Sequence, residues 1–254
     1  MTPPPKTRAD ITLVARGLFG SRAKAREAIE AGLVFAGGVA VGKASALIDP
    51  DAHIEAQAPY PWVSRGGVKL AAGLAAFGID PMGLHCLDIG ASTGGFCHVL
   101  LTQGAAHVTA VDVGHGQLHA SLHHNPRLTS REGTDARTLT AADMPEPPAL
   151  IVCDASFISL KLILPAVLRL AATDAHLVAL VKPQFEAGRA NVQKGIVRDE
   201  SVHRAVCADM AEFVAGLGWR VLGITPSPIA GGDGNREFLL GAQRARPQPD
   251  INLD

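Results

Sequence analysis

Short apolar segments alternate with longer amphipathic stretches along the chain from residue 69 onward. The short segments have the length and composition of buried strands, whereas the stretches between them have the periodicity of helices. The predicted strands cover residues 85–89, 107–113, 127–132, 149–155, 176–181, 219–225 and 236–243, and the predicted helices cover 69–78, 95–104, 116–124, 159–171 and 200–218. This alternation predicts an α/β fold with a parallel, doubly wound sheet, in which ligands bind beyond the carboxyl ends of the strands.

The amino-terminal residues follow a different pattern. Residues 9–18 have helical spacing, and Ser21 is placed to cap a second helix over 22–32, which Gly32 can end in the left-handed conformation. Residues 33–41 have the pattern of two short strands joined by a Gly-Gly hairpin. We therefore predict a small α+β domain ahead of the large one.

The boundary between the two predicted domains lies in a proline-containing segment. Residues 49–67 contain three prolines and little periodicity, which is typical of a linker. We place the small domain at residues 7–58, the linker at 59–66 and the large domain at 67–245. Residues 246–254 are mostly polar, and we expect them to be disordered.

Composition excludes several classes of protein. Hydrophobic residues make up 47% of the chain and charged residues 19%, as in folded proteins rather than disordered or fibrous ones. The longest apolar region, residues 150–170, is interrupted by charged residues and a proline, so no membrane-spanning helix is expected. The first ten residues lack the apolar segment of a secretory signal. The cysteines lie far apart without CxxC spacing, which favours reduced thiols and a cytoplasmic protein; they are Cys86, Cys97, Cys153 and Cys207.

The net charge of −1 hides a local excess of basic residues between residues 7 and 48. Arg22 and Arg26 are spaced i, i+4 and therefore share one face of the second predicted helix. A solvated surface is the plain interpretation, and a nucleic-acid-binding surface is the functional one.

A glycine-rich segment, LDIGASTGGF, follows the first strand of the large domain. Gly90, Gly94 and Gly95 lie at a strand-to-helix turn, where backbone N–H groups can approach a ligand closely. The segment departs from the G-x-G-x-x-G pattern of NAD-binding proteins, because Ser92 stands at the second glycine position. Asp112 ends the next strand, where an acid can bind ribose hydroxyls.

The pattern D-x-G-x-x-x-G-G, which begins at Asp88, is similar to motif I of S-adenosylmethionine methyltransferases. This resemblance implies that Asp135, just after the third strand, reads the adenine edge. A nucleotide-binding dehydrogenase would share the acid and most of the glycines, Asp88 could cap a turn, and Asp135 could be an exposed loop residue. The residues expected at the cofactor are Asp88, Gly90, Ser92, Thr93, Gly94, Gly95, Phe96, Asp112 and Asp135.

Four charged residues lie at the ends of predicted core elements. Asp154 and Lys182 end apolar strands, Lys69 opens the first helix of the large domain, and Glu237 begins the last strand. Taken singly, Asp154 could be a helix cap and Lys182 a snorkelling edge residue. Lys69 could be a surface residue, and Glu237 a charge that protects an edge strand. Together they favour a catalytic cluster beside the glycine-rich turn, because ordering and dehydrating long charged side chains is unfavourable.

The order Lys-Asp-Lys-Glu resembles the tetrad of FtsJ-like ribose 2′-O-methyltransferases. The segments WVSRGGVKL, DASFISL, LVKPQFEAG and PSPIAGGDGNREFLL are more specific. Over nearly the whole chain they resemble the TlyA family, in which an S4 domain precedes an FtsJ-like domain. The resemblance implies a Rossmann-like class I methyltransferase that methylates cytidine ribose in ribosomal RNA or ribosomal subunits. It also implies S-adenosylmethionine as methyl donor, no metal, no stable membrane association, and a catalytic set of Lys69, Asp154, Lys182 and Glu237, with Lys182 near the target 2′-hydroxyl.

Residues 7–41 resemble an S4 RNA-binding domain. The positions that match the family pattern are Arg8, Asp10, Ser21, Arg22, Gly32 and Gly38, whereas Ala9 and Gly37 depart from it. The resemblance implies RNA contacts by Arg8, Arg22, Lys24 and Arg26.

Two further expectations concern the charged groups of the large domain. We expect Asp154 and Glu237 to pair mainly with Lys69, which leaves Lys182 the amine that more easily becomes neutral. His115, His119 and His123 are spaced i, i+4 and i+8. We expect them to form a polar helix face rather than a zinc site, because the sequence offers no fourth ligand at a suitable spacing.

Two other functions are compatible with these residues. Members of the TlyA family have carried the label haemolysin, so a membrane-active protein is one alternative, and a non-catalytic ribosome-assembly factor is the other. Lysis that survives loss of Lys182 and of the glycine-rich turn would favour the first. Tetrad variants that still support assembly would favour the second.

Overall fold

The computed structural model describes residues 5–244 and divides the chain into two units after Pro61. This division falls inside the predicted linker, residues 59–66. The segment 246–254, which we expected to be disordered, lies outside the described residues.

The first unit is a small α+β fold whose local features confirm the sequence predictions. Ser21 caps the second helix by accepting a hydrogen bond from the backbone N–H of Lys24 (3.3 Å), and Gly32 follows that helix with φ of 72°. Gly37 and Gly38 have φ of 57° and 77°, as a type I′ hairpin requires. The elements are β1 (Thr7–Arg8), α1 (Ala9–Ala15), α2 (Arg22–Glu30), β2 (Val34–Ala36), β3 (Val39–Ala40), β4 (Leu47–Ile48) and β5 (Ile54–Ala56).

One strand of the first unit lies where the sequence predicted a linker. β5 pairs antiparallel with β2, placing Ala56 opposite Val34, so the linker prediction for residues 49–67 is wrong over β5. The strand has three residues, of which Glu55 is exposed and the other two are half-buried. A strand this short gives no alternating pattern that sequence inspection could separate from a loop.

The second unit contains a seven-stranded sheet in the order β11-β12-β10-β9-β6-β7-β8. Its helices are α3 (Gly66–Phe77), α4 (Gly95–Thr102), α5 (Leu160–Leu168), α6 (Pro183–Glu186) and α7 (Glu200–Gly216). Its strands are β6 (His85–Ile89), β7 (His107–Val111), β8 (Leu128–Arg131), β9 (Leu150–Cys153), β10 (His176–Val181), β11 (Trp219–Pro226) and β12 (Phe238–Arg244). Each predicted strand of the large domain is therefore present.

The sheet is mixed rather than wholly parallel. β12 pairs antiparallel with both β10 and β11, whereas the other neighbours pair in parallel. The prediction of a parallel sheet is wrong at this strand. Residues 227–237 contain no helix, and a parallel return would need a crossover connection, usually a helical one. The chain therefore comes back beside β11 in the opposite direction.

Helices cover both faces of this sheet. The buried residues of α5 and α7 pack on one face with Leu87 and Ile151, and those of α3 and α4 pack on the other with Cys86 and Val152. Successive strand residues thus enter opposite layers, as the doubly wound prediction requires. Within residues 5–244, no helix has the length and apolar character needed to cross a membrane.

The predicted helix over 116–124 is absent. The structure has a loop there with a single 3-10 turn at Ala120–Leu122. The carboxylate of Glu132 accepts the backbone N–H groups of Gly116 (2.7 Å), Gln117 (2.9 Å) and Leu118 (3.3 Å), so these groups have partners without a helix. The histidines His115, His119 and His123 consequently share no helix face, and that expectation is wrong. No cluster with metal-ligand geometry occurs among the described residues.

Candidate active site

The turn after β6 brings the backbone of two loops into close contact. Gly90 has φ of 78°, and a Cβ atom on it would lie 2.9 Å from the carbonyl oxygen of Asp154. Gly94 has φ of 85° and caps α4, and a Cβ on Gly95 would lie 2.2 Å from Ser64 Oγ. The positive φ favours glycine at Gly90 and Gly94, and the lack of space disfavours a side chain at all three positions.

A cavity of about 560 Å³ opens beyond the carboxyl ends of β6, β7 and β9. Four residues predicted at the cofactor line it: Gly90, Ser92, Asp112 and Asp135. Apolar side chains, including Ile89, Val111, Ile158 and Ile163, line it as well. This size and this mixture of apolar walls with few polar groups are typical of a small-molecule site.

The two acids of the cavity are held in place by hydrogen bonds. Asp112 accepts the backbone N–H of Ser92 (2.8 Å) at one oxygen and that of Gly114 (2.7 Å) at the other. Asp135 pairs with Arg137 (2.6 Å), whose hydrogen bonds and charge lower the pKa of that carboxyl. Both carboxylates therefore have fixed orientations, with lone pairs left to accept further hydrogen bonds.

Three predicted cofactor residues, Thr93, Gly95 and Phe96, line a smaller neighbouring cavity, which Gly90 and Ser92 also border. Gly94 lines neither cavity.

Asp88 lies beneath the turn rather than on the cavity. It is completely buried, and its Oδ2 accepts a hydrogen bond from Cys97 Sγ (2.9 Å), while no described residue provides a hydrogen-bond partner for Oδ1. Burial raises the pKa of Asp88 to about 7, although the Cys97 hydrogen bond opposes this shift. Cys97 itself carries no signal in the sequence that points to this contact.

The four charged residues form two adjoining ion pairs. Lys69 Nζ lies 2.5 Å from Glu237 Oε2, and Lys182 Nζ lies 2.7 Å from Asp154 Oδ1. Lys69 and Asp154 border the same small cavity beside Gly90, which joins the two pairs into one cluster. Lys69, Lys182 and Glu237 are buried, at 8%, 6% and 4% exposure. The alternative of a surface position for Lys69 is therefore excluded.

The predicted pairing of these charges is wrong in one respect. We expected Asp154 to pair with Lys69, but its partner is Lys182. β9 and β10 are adjacent parallel strands, with Cys153 opposite Ala179, so residues just beyond their carboxyl ends emerge side by side. Sequence order alone does not reveal that adjacency.

Ser156 is a functional candidate that the sequence did not single out. Its Oγ lies 2.6 Å from Lys182 Nζ, which also lies 3.4 Å from the carbonyl oxygen of Asp154. Lys182 Nζ thus donates to two acceptors, and Asp154 Oδ1 faces it as an ion-pair partner without hydrogen-bond geometry. Phe157, the next residue, is 91% exposed and has φ of 66°.

The predicted RNA-binding residues lie in the first unit and differ in their contacts. Arg8 (2.9 Å) and Arg22 (2.7 Å) both pair with Asp10, which is completely buried. These two hydrogen-bonded arginines hold the pKa of the Asp10 carboxyl well below its usual range. Among the described residues, no ion pair joins Lys24 or Arg26 to a carboxylate.

The strand order with its reversed β12, together with a glycine-rich turn beneath a cavity, defines a Rossmann-like methyltransferase fold. The N-methyltransferase NodS from Bradyrhizobium japonicum has a similar fold, with a TM-score of 0.51 at 14% identity over 72% of this chain and 99% of that one.

The profile of FtsJ-like methyltransferases matches residues 62–244. The 16S/23S rRNA (cytidine-2′-O)-methyltransferase TlyA of Mycobacterium tuberculosis is 45% identical over 238 residues, which are 92% of this chain and 89% of that protein. The chain therefore belongs to the FtsJ-like methyltransferase family, within its TlyA branch.

Two further relatives carry a different name. Hemolysin A of Brachyspira hyodysenteriae is 40% identical over 235 residues, covering 91% of this chain and 98% of that protein. A solved structure from Streptococcus thermophilus, described as a candidate hemolysin, has a TM-score of 0.75 at 40% identity and covers 98% of this chain and 92% of that one.

Proposed function

We propose that the protein transfers a methyl group from S-adenosylmethionine to the 2′-hydroxyl of a cytidine in ribosomal RNA. The observation that carries this proposal is the convergence of Lys69, Asp154, Lys182 and Glu237 beside the glycine-rich turn. A relative named for this reaction shares nearly half of the sequence. With ribosomal RNA as substrate, we also propose that the protein acts in the cytoplasm.

The residues around the cavity suit the proposed methyl donor. Asp112 and Asp135 are fixed acceptors for ribose and adenine groups, and Gly90, Gly94 and Gly95 form a cradle that a Cβ atom would fill. Ser92, Thr93 and Phe96 complete the turn, and Asp88 supports it from below. When bound, S-adenosylmethionine supplies an activated methyl group on a sulfonium sulfur. The protein then has to align the acceptor and manage one proton.

Lys182 is the group we assign to that proton. A ribose hydroxyl is a weak nucleophile until its proton is directed away from the oxygen. In the structure Lys182 is surrounded by acceptors, so the entering 2′-hydroxyl replaces Ser156 Oγ as one of its neighbours. After Lys182 has released a proton to solvent, its Nζ would accept the hydroxyl proton as the O–H bond breaks. The O–CH₃ bond would form as the bond between the methyl carbon and the donor sulfur breaks, with both bonding electrons left on a neutral sulfur. The Lys69–Glu237 pair fixes the opposite side of the cluster.

The test is Lys182→Ala, with Lys161→Ala as the matched control. Lys161 lies on α5, pairs with Asp209 on α7, and is outside the cluster. We expect methyl transfer to ribosomal RNA by Lys182→Ala to fall by about 100- to 10,000-fold, the range typical for loss of a proton acceptor. Calorimetry should show S-adenosylmethionine binding close to that of the unaltered protein. Undiminished transfer by Lys182→Ala would refute the assignment.

Residues 7–58, within the first unit, are proposed to be an S4-like domain that binds ribosomal RNA. Asp10 carries one negative charge against Arg8 and Arg22, so this trio keeps a net positive charge, and the two arginine side chains are solvent-accessible. Lys24 and Arg26 add charge that no ion pair offsets within the described residues. Basic side chains at phosphate contacts supply affinity without sequence preference.

The hemolysin names make membrane lysis the competing function. Lysis or ribosome assembly that does not need the cluster would be unaffected by Lys182→Ala. The same variant therefore separates these functions from methyl transfer: 2′-O-methyl mapping of ribosomal RNA reports one, and lysis of erythrocytes by purified protein reports the other.

A further inference from the structure

The Asp154–Lys182 pair is carried by two loops that leave adjacent strands. The first loop is residues 154–159, after β9. The second is residues 182–186, after β10, and it contains the short helix α6. The Asp154 backbone N–H donates to Ile89 O (2.9 Å), which fixes the start of the first loop to the sheet. The separation between the amine and the carboxylate therefore depends on how the rest of this loop is held against the second one.

The first loop contains a backbone conformation that needs external support. Phe157 has φ of 66°, in the left-handed region that bulky L-residues disfavour. Its ring is 91% exposed, so burial of the side chain does not compensate for the conformation. Strained residues of this kind persist only where the surrounding structure fixes them.

The carboxylate of Glu186 ties the end of the first loop to the second. Oε2 accepts the hydroxyl of Ser159 (2.6 Å), and Oε1 accepts the backbone N–H of Leu160 (2.8 Å). The rings of Phe157 and Phe185 lie 5.4 Å apart, which adds a contact between the same two loops. Both oxygens of Glu186 are thus engaged with the residues that begin α5, only four residues along the chain from Lys182.

We infer that Glu186 is a positioning residue that sets the spacing of Lys182 and Asp154. The inference rests on the proposed function, since it concerns the same proton acceptor. Without this carboxylate the loop relaxes around Phe157, and Asp154 and Ser156 shift relative to Lys182. A shift of about 1 Å at a reacting group can lower a rate by about 100-fold. Glu186 therefore acts through Lys182 and touches no substrate atom.

The test compares Glu186→Ala with Glu186→Gln in the full-length protein. We expect Glu186→Ala to lower kcat for methyl transfer by about 10- to 100-fold. Residues 154–158 also line the larger cavity, so kcat is measured at saturating S-adenosylmethionine. Glutamine keeps an oxygen for the Leu160 N–H and a polar group for Ser159, so kcat should recover to within about 5-fold of the unaltered protein, the effect of about one hydrogen bond. Failure of glutamine to restore kcat would overturn a geometric role.

Asp199→Ala is the matched control. Asp199 caps α7 by accepting the Ser201 N–H (2.7 Å), so this variant loses a comparable helix cap at a site away from the loop. Equal losses of kcat in Asp199→Ala and Glu186→Ala would overturn the inference in favour of general destabilisation. Ser159→Ala removes one of the two Glu186 hydrogen bonds together with the cap that Ser159 Oγ provides to the Lys161 N–H (3.1 Å). It should give an intermediate kcat, below that of Asp199→Ala, even if Glu186→Ala folds poorly. An unaltered protein without methyl transfer would instead refute the proposed function.

Discussion

Asp88 should make the stability of the second unit depend on pH. Its carboxyl group is completely buried, with one oxygen hydrogen-bonded to Cys97 and the other without a partner within residues 5–244. Asp88→Asn keeps the shape of the side chain and an oxygen for the Cys97 thiol, but it cannot ionise. The variant therefore isolates the free energy of placing a charge at this position.

The sign follows from the direction of the shift. Burial raises the Asp88 pKa from 3.8 to about 7, so the folded state holds the proton more tightly than the unfolded state. This contribution to stability is present below pH 3.8 and is lost as the pH rises through about 7. A shift of about three units corresponds to about 4 kcal/mol, of which about 2.5 kcal/mol falls between pH 5 and pH 8.

The assay is urea unfolding at pH 5 and pH 8, followed by tryptophan fluorescence. Both tryptophans of the chain, Trp62 and Trp219, lie in the second unit and so report on it. The free energy of unfolding of Asp88→Asn, relative to the unaltered protein, should rise by about 2 to 3 kcal/mol from pH 5 to pH 8. Glu212→Gln, which neutralises an exposed carboxylate, should show no such change. An equal difference for Asp88→Asn at both pH values would refute the reasoning.

Two other substitutions test the cofactor turn and the first unit. Gly90→Ala should lower the free energy of unfolding by about 1–2 kcal/mol through backbone strain. It should also weaken S-adenosylmethionine binding in calorimetry, because the added Cβ would press on the carbonyl oxygen of Asp154. Gly216→Ala, with no atom within 4 Å of the added Cβ, is the control. The double variant Lys24→Ala with Arg26→Ala should lower ribosomal RNA affinity and reduce the salt dependence of binding by about one unit of slope per lost phosphate contact. Arg220→Ala, on the exposed surface of β11, should leave both unchanged, and an unchanged salt slope in the double variant would contradict the RNA-binding assignment.

Strong local patterns predicted most of the fold. The run from His176 to Val181 is apolar almost throughout and is bounded by a charged residue, and it forms β10 over those residues. The Ser21 cap and the Gly37–Gly38 hairpin also follow from side-chain chemistry within a few residues. Such features are predictable because the interactions that determine them lie close together in the sequence.

Features set by distant residues could not be predicted in the same way. The segment 116–124 has helical spacing, yet its first three N–H groups bind Glu132, the residue that follows β8. The reversal of β12 depends on the lack of a helix in the connection from β11, and the partner of Asp154 depends on which strands are neighbours. In each case the competing interaction is tertiary and leaves no periodic trace in the sequence.

The same geometry determines which lysine can be tested cleanly. Two positive and two negative groups balance within the cluster, so removing one charge leaves its partner uncompensated. Loss of Lys69 would leave Glu237 without its ion-pair partner, and the Glu237 side chain is only 4% exposed. Loss of Lys182 would leave Asp154 without its partner, but the Asp154 side chain is 21% exposed and borders a cavity. Water can reach Asp154 more readily, so the desolvation penalty left by Lys182→Ala is smaller. A loss of activity at Lys182 therefore reports on chemistry more directly than one at Lys69, where destabilisation and lost catalysis would coincide.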